Sequence, residues 1–203
     1  MAKPAWLTLT PSSGNGNGVI VNTATPHTGR VARTGTVTVQ GAGIAEASTY
    51  SVSQTPKAEF VSFDNGAEMS ATKVGGTLTI EGKTNATQLT FSLLEEGDLA
   101  IELTESYDAN GVKTVNAAVI KGDPGATAEF VFSLQIVVPA NTTIAEKTKT
   151  IKVDTTGGKT AQIKIVQAAG DPTLTISPKT ITIPQDGSAV NVNVTANCAW
   201  TAS

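Results

Sequence analysis

The chain carries one imidazole and one thiol, His27 and Cys198. Nucleophilic catalysis of the Ser-His-Asp or Cys-His kind needs an imidazole beside the nucleophile. His27 lies in the turn sequence Pro26-His27-Thr28-Gly29, far from Cys198, and reads as a solvent-facing loop residue. Zinc sites take three or four Cys or His ligands, so one of each builds none. Cys198 has no basic neighbour in sequence to stabilise a thiolate and reads as a small packed side chain. Paired carboxylates support glycoside hydrolysis, and Glu95, Glu96 and Asp98 form the acidic cluster. They read more simply as a solvated turn. Asp108-Ala109-Asn110 and Gly122-Asp123 hold too few oxygen ligands for a recognisable calcium loop and fit Asx-type turns. Gly14-Asn15-Gly16-Asn17-Gly18 lies between strands and has no Lys at phosphate-loop spacing. Asn85-Ala86-Thr87, Asn141-Thr142-Thr143 and Asn193-Val194-Thr195 match the glycosylation pattern. No catalytic, cofactor-binding or metal residue follows from these groups, and no cofactor is expected. Sugar binding by ring stacking is the remaining chemistry, with Tyr50 and Tyr107 as the candidate glycan contacts.

The elements that hold these residues are strands. Hydrophobic residues make up 39% and charged residues 15% of 203, with nineteen glycines and nine prolines. Thr, Val and Ile recur throughout, which suits a pleated surface and costs rotamer freedom in helices. Period-two alternation marks Trp6 to Thr10, Thr36 to Val39 and Thr49 to Gln54. Further strands are expected at Val19–Val21, Phe60–Phe63, Thr77–Glu81, Gln88–Leu94, Leu99–Leu103, Val115–Ile120, Ala128–Val138, Thr148–Val153 and Ala161–Gln167. The last block offers Leu174–Ile176, Thr180–Ile183 and Val190–Val194. Asn110-Gly111 is the strongest hairpin signal, because a type I′ turn needs positive φ at both central positions. A net charge of −3 and scattered lysines leave no footprint for nucleic acid. No apolar run approaches the roughly 20 residues of a membrane span. Met1 to Trp6 has one basic residue and no apolar core, so synthesis in the cytoplasm without a signal peptide is expected.

The sequence repeats itself, out of phase with its ends. Thr36-Val37-Thr38-Val39 followed by Tyr50-Ser51-Val52-Ser53-Gln54 corresponds to Thr150-Ile151-Lys152-Val153 followed by Ile163-Lys164-Ile165-Val166-Gln167. The opening segment Gly76 to Ile80, with Thr84-Asn85-Ala86, matches Gly187 to Val192, with Thr195-Ala196-Asn197-Cys198. Residues 58–170 therefore hold both an opening and a closing half. Residues 1–57 hold a closing half, and residues 171–203 an opening half.

At Leu174-Thr175-Ile176-Ser177-Pro178, Gly187-Ser188, Val192-Asn193-Val194, Asn197 and Trp200 the chain resembles the first half of a BACON domain. At Trp6-Leu7-Thr8, Pro11 to Gly16, Arg33, Thr36 to Val39 and Val52-Ser53-Gln54 it resembles the second half. The middle block lacks both tryptophans and the Ser-Gly-x-Gly turn and follows the pattern more loosely. The BACON family is an immunoglobulin-like module of gut Bacteroidetes and of the crAss-like phages that infect them. The resemblance implies an all-β fold of immunoglobulin-like antiparallel sandwiches in two domains, with Trp6 and Trp200 as core positions of the module. One domain, 1–57 plus 171–203, is split, and the other, 58–170, is inserted. A half-sandwich leaves its inner face and strand edges open. Closure within the chain is the expectation. A homo-oligomer that exchanges 171–203 with 1–57 of a neighbour, or a truncated third module, are the alternatives. The functional expectation is a non-enzymatic virion protein, an auxiliary protein on the capsid surface of a crAss-like phage. It would contact the major capsid protein and glycan-bearing surfaces, with neither nucleic acid nor membrane as partner. A carbohydrate- or mucin-binding module of a larger secreted Bacteroidetes protein is the alternative.

Overall fold

The computed structural model describes residues 3–203, and the chain is an all-β protein whose centre is a two-layer β-sandwich. In the N-terminal segment β1 (Leu7–Thr10) pairs antiparallel with β2 (Val21–Ala24), and β3 (Arg33–Val39) with β4 (Ser48–Gln54). The sandwich begins with β5 (Val61–Phe63), β6 (Glu68–Ala71), β7 (Gly76–Thr84) and β8 (Leu89–Leu93). It continues with β9 (Glu102–Leu103), β10 (Ser106–Ala109), β11 (Val112–Val115), β12 (Phe130–Val138), β13 (Lys147–Thr155) and β14 (Thr160–Gln167). The C-terminal segment holds β15 (Leu174–Ser177) and β16 (Asn193–Ala196), paired antiparallel.

One layer runs β11-β10-β12-β7-β5, with β9 beside β12, and the other runs β6-β14-β13-β8. All ladders are antiparallel except β6–β14, which is parallel. Alternation sets which side chains meet between the layers. On β12, Phe130, Phe132, Leu134, Ile136 and Val138 are buried, while Val131 and Val137 face out. They meet Ile80 of β7, Ile151 and Val153 of β13, and Ile163 and Ile165 of β14, all buried in one core. Each such side chain contributes about 1.5–3 kcal/mol of transfer free energy. Phe91 sits at the centre, with Tyr107 and Phe132 rings 5.0 and 5.7 Å from its own.

Several expected strands differ. The Asn110-Gly111 turn forms as read, with φ of 53° and 78°, and joins β10 to β11. Of the stretch Val115–Ile120 only Val115 is strand, the end of β11; the rest turns, with the Asn116 side chain bonding the Phe91 N–H and carbonyl at 2.8 and 2.9 Å. Leu99–Leu103 reduces to the two residues of β9. The chain around Glu95 and Glu96 is loop, and Thr180–Ile183 pairs with nothing among the described residues.

The split domain does not close within the chain. No ladder or hydrogen bond joins residues 3–57 to residues 171–203. The N-terminal segment docks where β7 ends and β12 starts, against Asn85, Asp123 and Glu129. The C-terminal segment docks at the other end, against Lys73 and Thr142. Because β7 and β12 pair over their full nine residues, the two docking sites lie roughly 30 Å apart at about 3.3 Å per residue.

Candidate functional site

The residues that could do chemistry are spread out and engaged structurally. His27 Nε2 donates to the Val31 carbonyl at 2.7 Å and closes its own loop. The equivalent loop of the sandwich is closed by Asn141, whose Nδ2 donates to the Ala145 carbonyl at 2.7 Å. The one histidine is thus one version of a structural loop clasp. Cys198 is half-buried, with its Sγ 3.6 Å from the Thr173 carbonyl. Asp98 accepts a bond from the Thr148 N–H, and Asp108 accepts one from the Gly111 N–H in the hairpin turn. Asp123 pairs with Arg30. Among the described residues no group of three or more His, Cys, Asp or Glu side chains is placed to hold a metal ion.

The aromatic positions divide. Tyr107 is 2% exposed, and burial pushes its phenol up to about 12. It presents no stacking face to a sugar, and its role as a glycan contact is corrected to that of a core ring. Tyr50 is half-buried, and its hydroxyl donates to Asn22 Oδ1 at 2.9 Å. Trp6 is half-buried under the Arg33 guanidinium, 4.8 Å from the ring centre. Trp200, expected in the core, is 52% exposed. The reason is local: β15 and β16 form a lone two-stranded sheet with no second layer over it.

A shallow groove of about 680 Å³ runs beside β9 and β10, lined by both polar and apolar side chains, Glu102, Leu103, Asp108, Lys113, Gln135 and Val137 among them. More distinctive are the two junctions, which use the same contacts. At the first, the Phe60 N–H donates to Asn85 Oδ1 at 3.0 Å, while Asn85 Nδ2 donates to the Thr28 and Ala58 carbonyls at 3.2 and 3.3 Å. At the second, the Thr173 N–H donates to Asn197 Oδ1 at 2.7 Å, and Asn197 Nδ2 donates to the Thr142 and Asp171 carbonyls at 2.8 and 2.9 Å. The Lys57 N–H donates to Gly29, and the Gly170 N–H to Thr143, in the same relative places. Gly29 is required by its contact: a Cβ there would lie 2.4 Å from the Thr127 backbone. Charge strengthens both junctions, through Lys57–Glu129 and Lys73–Asp171. The first junction adds Arg30, which bridges Asp123 and the Asn85 carbonyl. Sequence reasoning placed Asn85 and Asn197 in the repeat and missed their work as clamps.

The remaining feature is the set of open edges. β2, β4 and β16 each pair on one side only, whereas their counterparts β12, β14 and β7 pair on both. Apolar side chains follow the open C-terminal strands: Ile181, Ile183, Val190 and Val192 are 37–62% exposed.

No protein-family model and no curated protein matches the chain. Among solved structures, the chain is similar to a protein from Bacteroides thetaiotaomicron determined by NMR, at 18% identity over 54% of this chain and 84% of that one, with a TM-score of 0.27. An endo-fucoidan hydrolase of glycoside hydrolase family 107 is similar at 13% identity over 83% of this chain and 22% of that one, TM-score 0.34. The collagen-binding domain of an Erysipelothrix rhusiopathiae surface protein is similar at 10% identity over 74% and 63%, TM-score 0.19.

Proposed function

We propose that this is a non-enzymatic structural protein of a virion, an auxiliary protein that binds the capsid surface of a crAss-like phage. It contacts the major capsid protein and holds neighbouring capsomers together. The observation that carries an assembly role is the pair of open-edged segments clamped at opposite ends of one complete sandwich. Exposed strand edges recruit further strands, and two such edges at a distance bridge two neighbours. The BACON resemblance supplies the phage setting. Low charge fits contacts made by strand pairing and apolar burial, which salt weakens little.

Mass spectrometry of purified particles tests this, together with re-binding of the protein to stripped capsids. The expected result is co-purification at a fixed ratio to the major capsid protein and re-binding that survives high salt. A carbohydrate- or mucin-binding role is the second reading, favoured by the groove beside β10, which sets Asp108 and Gln135 next to apolar side chains. Glycan binding lost on Asp108→Ala or Gln135→Ala, with no protein on the particles, would replace the first reading with the second.

A further inference from the structure

The middle sandwich shows how an opening part and a closing part fit together. β5, β6 and β7 form the first, β8 to β14 the second. They meet along two seams, the antiparallel β7–β12 ladder and the parallel β6–β14 ladder. The N-terminal segment repeats the closing side: Val37 stands where Ile151 does, and both are buried; Gln54 stands where Gln167 does. The C-terminal segment repeats the opening side. β15 pairs with β16 as β5 pairs with β7, and Gly187 and Gly75 turn with φ of 76° and 77°.

One glutamine marks the unfinished seam. Gln167 Nε2 donates across it, to the Pro139 carbonyl at 2.6 Å and the Thr72 carbonyl at 3.2 Å. Gln54 Nε2 donates to Thr25, the counterpart of Pro139, at 2.9 Å, and has no counterpart of Thr72 beside it. That counterpart is Pro184. The Gly187 N–H donates to its carbonyl at 2.9 Å, as the Gly75 N–H donates to Thr72 at 3.0 Å. Donor and acceptor are both present in this sequence, at opposite ends of the molecule.

We propose that the C-terminal segment of one copy completes the N-terminal segment of a second copy, head to tail. Residues 188–196 pair with β2 of the neighbour as β7 pairs with β12, which sets Ala189 opposite Thr23. Thr180–Ile183 pairs in parallel with β4, and Gln54 reaches the neighbour's Pro184 carbonyl. The occupant is a second copy because this chain carries both complementary parts and holds them at opposite poles, too far apart to meet. A head-to-tail contact of this kind propagates unless its rotation closes a ring. The two junctions repeat the same hydrogen bonds, so each added copy continues the spacing, and every second sandwich in the filament is shared. The contact covers Ile181, Ile183, Val190 and Val192, and it stands independently of any capsid.

Sedimentation velocity and light scattering on the full chain test the proposal over a concentration series. The expected result is a ladder of sizes that grows with concentration. Asn191→Pro removes an edge donor outside the β15–β16 ladder, which starts at Asn193, and shifts the ladder to at least about tenfold higher concentration. Directly opposed strand positions suit a disulfide. In a Cys198→Ser background, copies with Thr23→Cys mixed with copies with Ala189→Cys therefore cross-link, while Val19→Cys copies mixed with the same partner do not. A monomer up to the solubility limit overturns the proposal, as does cross-linking with no preference for the Thr23 register; a closed ring that cross-links in that register supports it. Particle binding by a strict monomer would sink this inference and leave the capsid reading standing.

Discussion

The middle sandwich and the two terminal segments are written in nearly the same pattern, yet only the first has a core. Nineteen buried apolar residues form one cluster, all between Ala71 and Ile165. The N-terminal segment buries Leu7 and Val37, and the C-terminal segment buries no apolar side chain to that degree. Ile80 on β7 and Val192, just before β16, hold corresponding positions in the repeat; the first is 0% exposed and the second 38%. The difference lies in whether a second layer is present, because a β-strand's apolar face acquires its free energy only against a facing sheet.

The sharpest way to break this comparison is to truncate the matched pair. Ile80→Ala costs about 2–5 kcal/mol, from lost burial plus the cavity left behind. Val192→Ala in the dilute single chain costs within about 0.5 kcal/mol. Urea unfolding of both variants measures the gap, and equal costs would show that the C-terminal segment is covered in solution.

Alkaline pH comes next. The Tyr107 phenol is held neutral by burial, with its pKa pushed up to about 12 against about 10 when unfolded. This stability is present in full below pH 10. It is lost as the pH rises toward 12, because the unfolded chain ionises first. The loss is about 3 kcal/mol, read as a fall in Tm, and Tyr107→Phe flattens it.

The clamps give a smaller contrast. Asn85 is 0% exposed, so Asn85→Ala strands the half-buried Phe60 N–H and costs about 1–3 kcal/mol. Asn197→Ala costs less, because Asn197 is only half-buried and water reaches its exposed partners. Thermal unfolding orders the two. Smallest are the ion pairs: Lys57→Ala and Lys73→Ala each change stability by about 0–1 kcal/mol, an effect that fades in added salt.

Much of the sandwich is legible in sequence wherever alternation is strong. Phe130 to Val138 reads as a strand because every second residue is β-branched, aromatic or leucine, and Thr148 to Val153 because four of its six residues are β-branched. Glu68-Met69-Ser70-Ala71 escapes, since its strand identity comes from a parallel partner about a hundred residues away in the chain rather than from its own pattern. Ser106–Ala109 escapes for a similar reason: its inward side chains are one tyrosine and one alanine. The junctions are hidden because a single buried asparagine carries no periodic signal, and because His27 and Asn141 do one job with different side chains. Trp200 shows the remaining limit. Its apolar ring announces a buried position, but not which surface covers it.

The parallel β6–β14 pair has a mechanical consequence. The chain enters the sandwich at one pole and leaves at the other, so a pull along the molecule drags β6 toward the entry and β14 toward the exit. Four paired positions, from Glu68–Lys164 to Ala71–Gln167, are then sheared together instead of unzipped singly. Single-molecule stretching should therefore meet one abrupt high-force rupture at this seam, lowered by Ser70→Pro. Under such a pull the parallel seam, rather than any single edge strand, would set the breaking force of the middle sandwich.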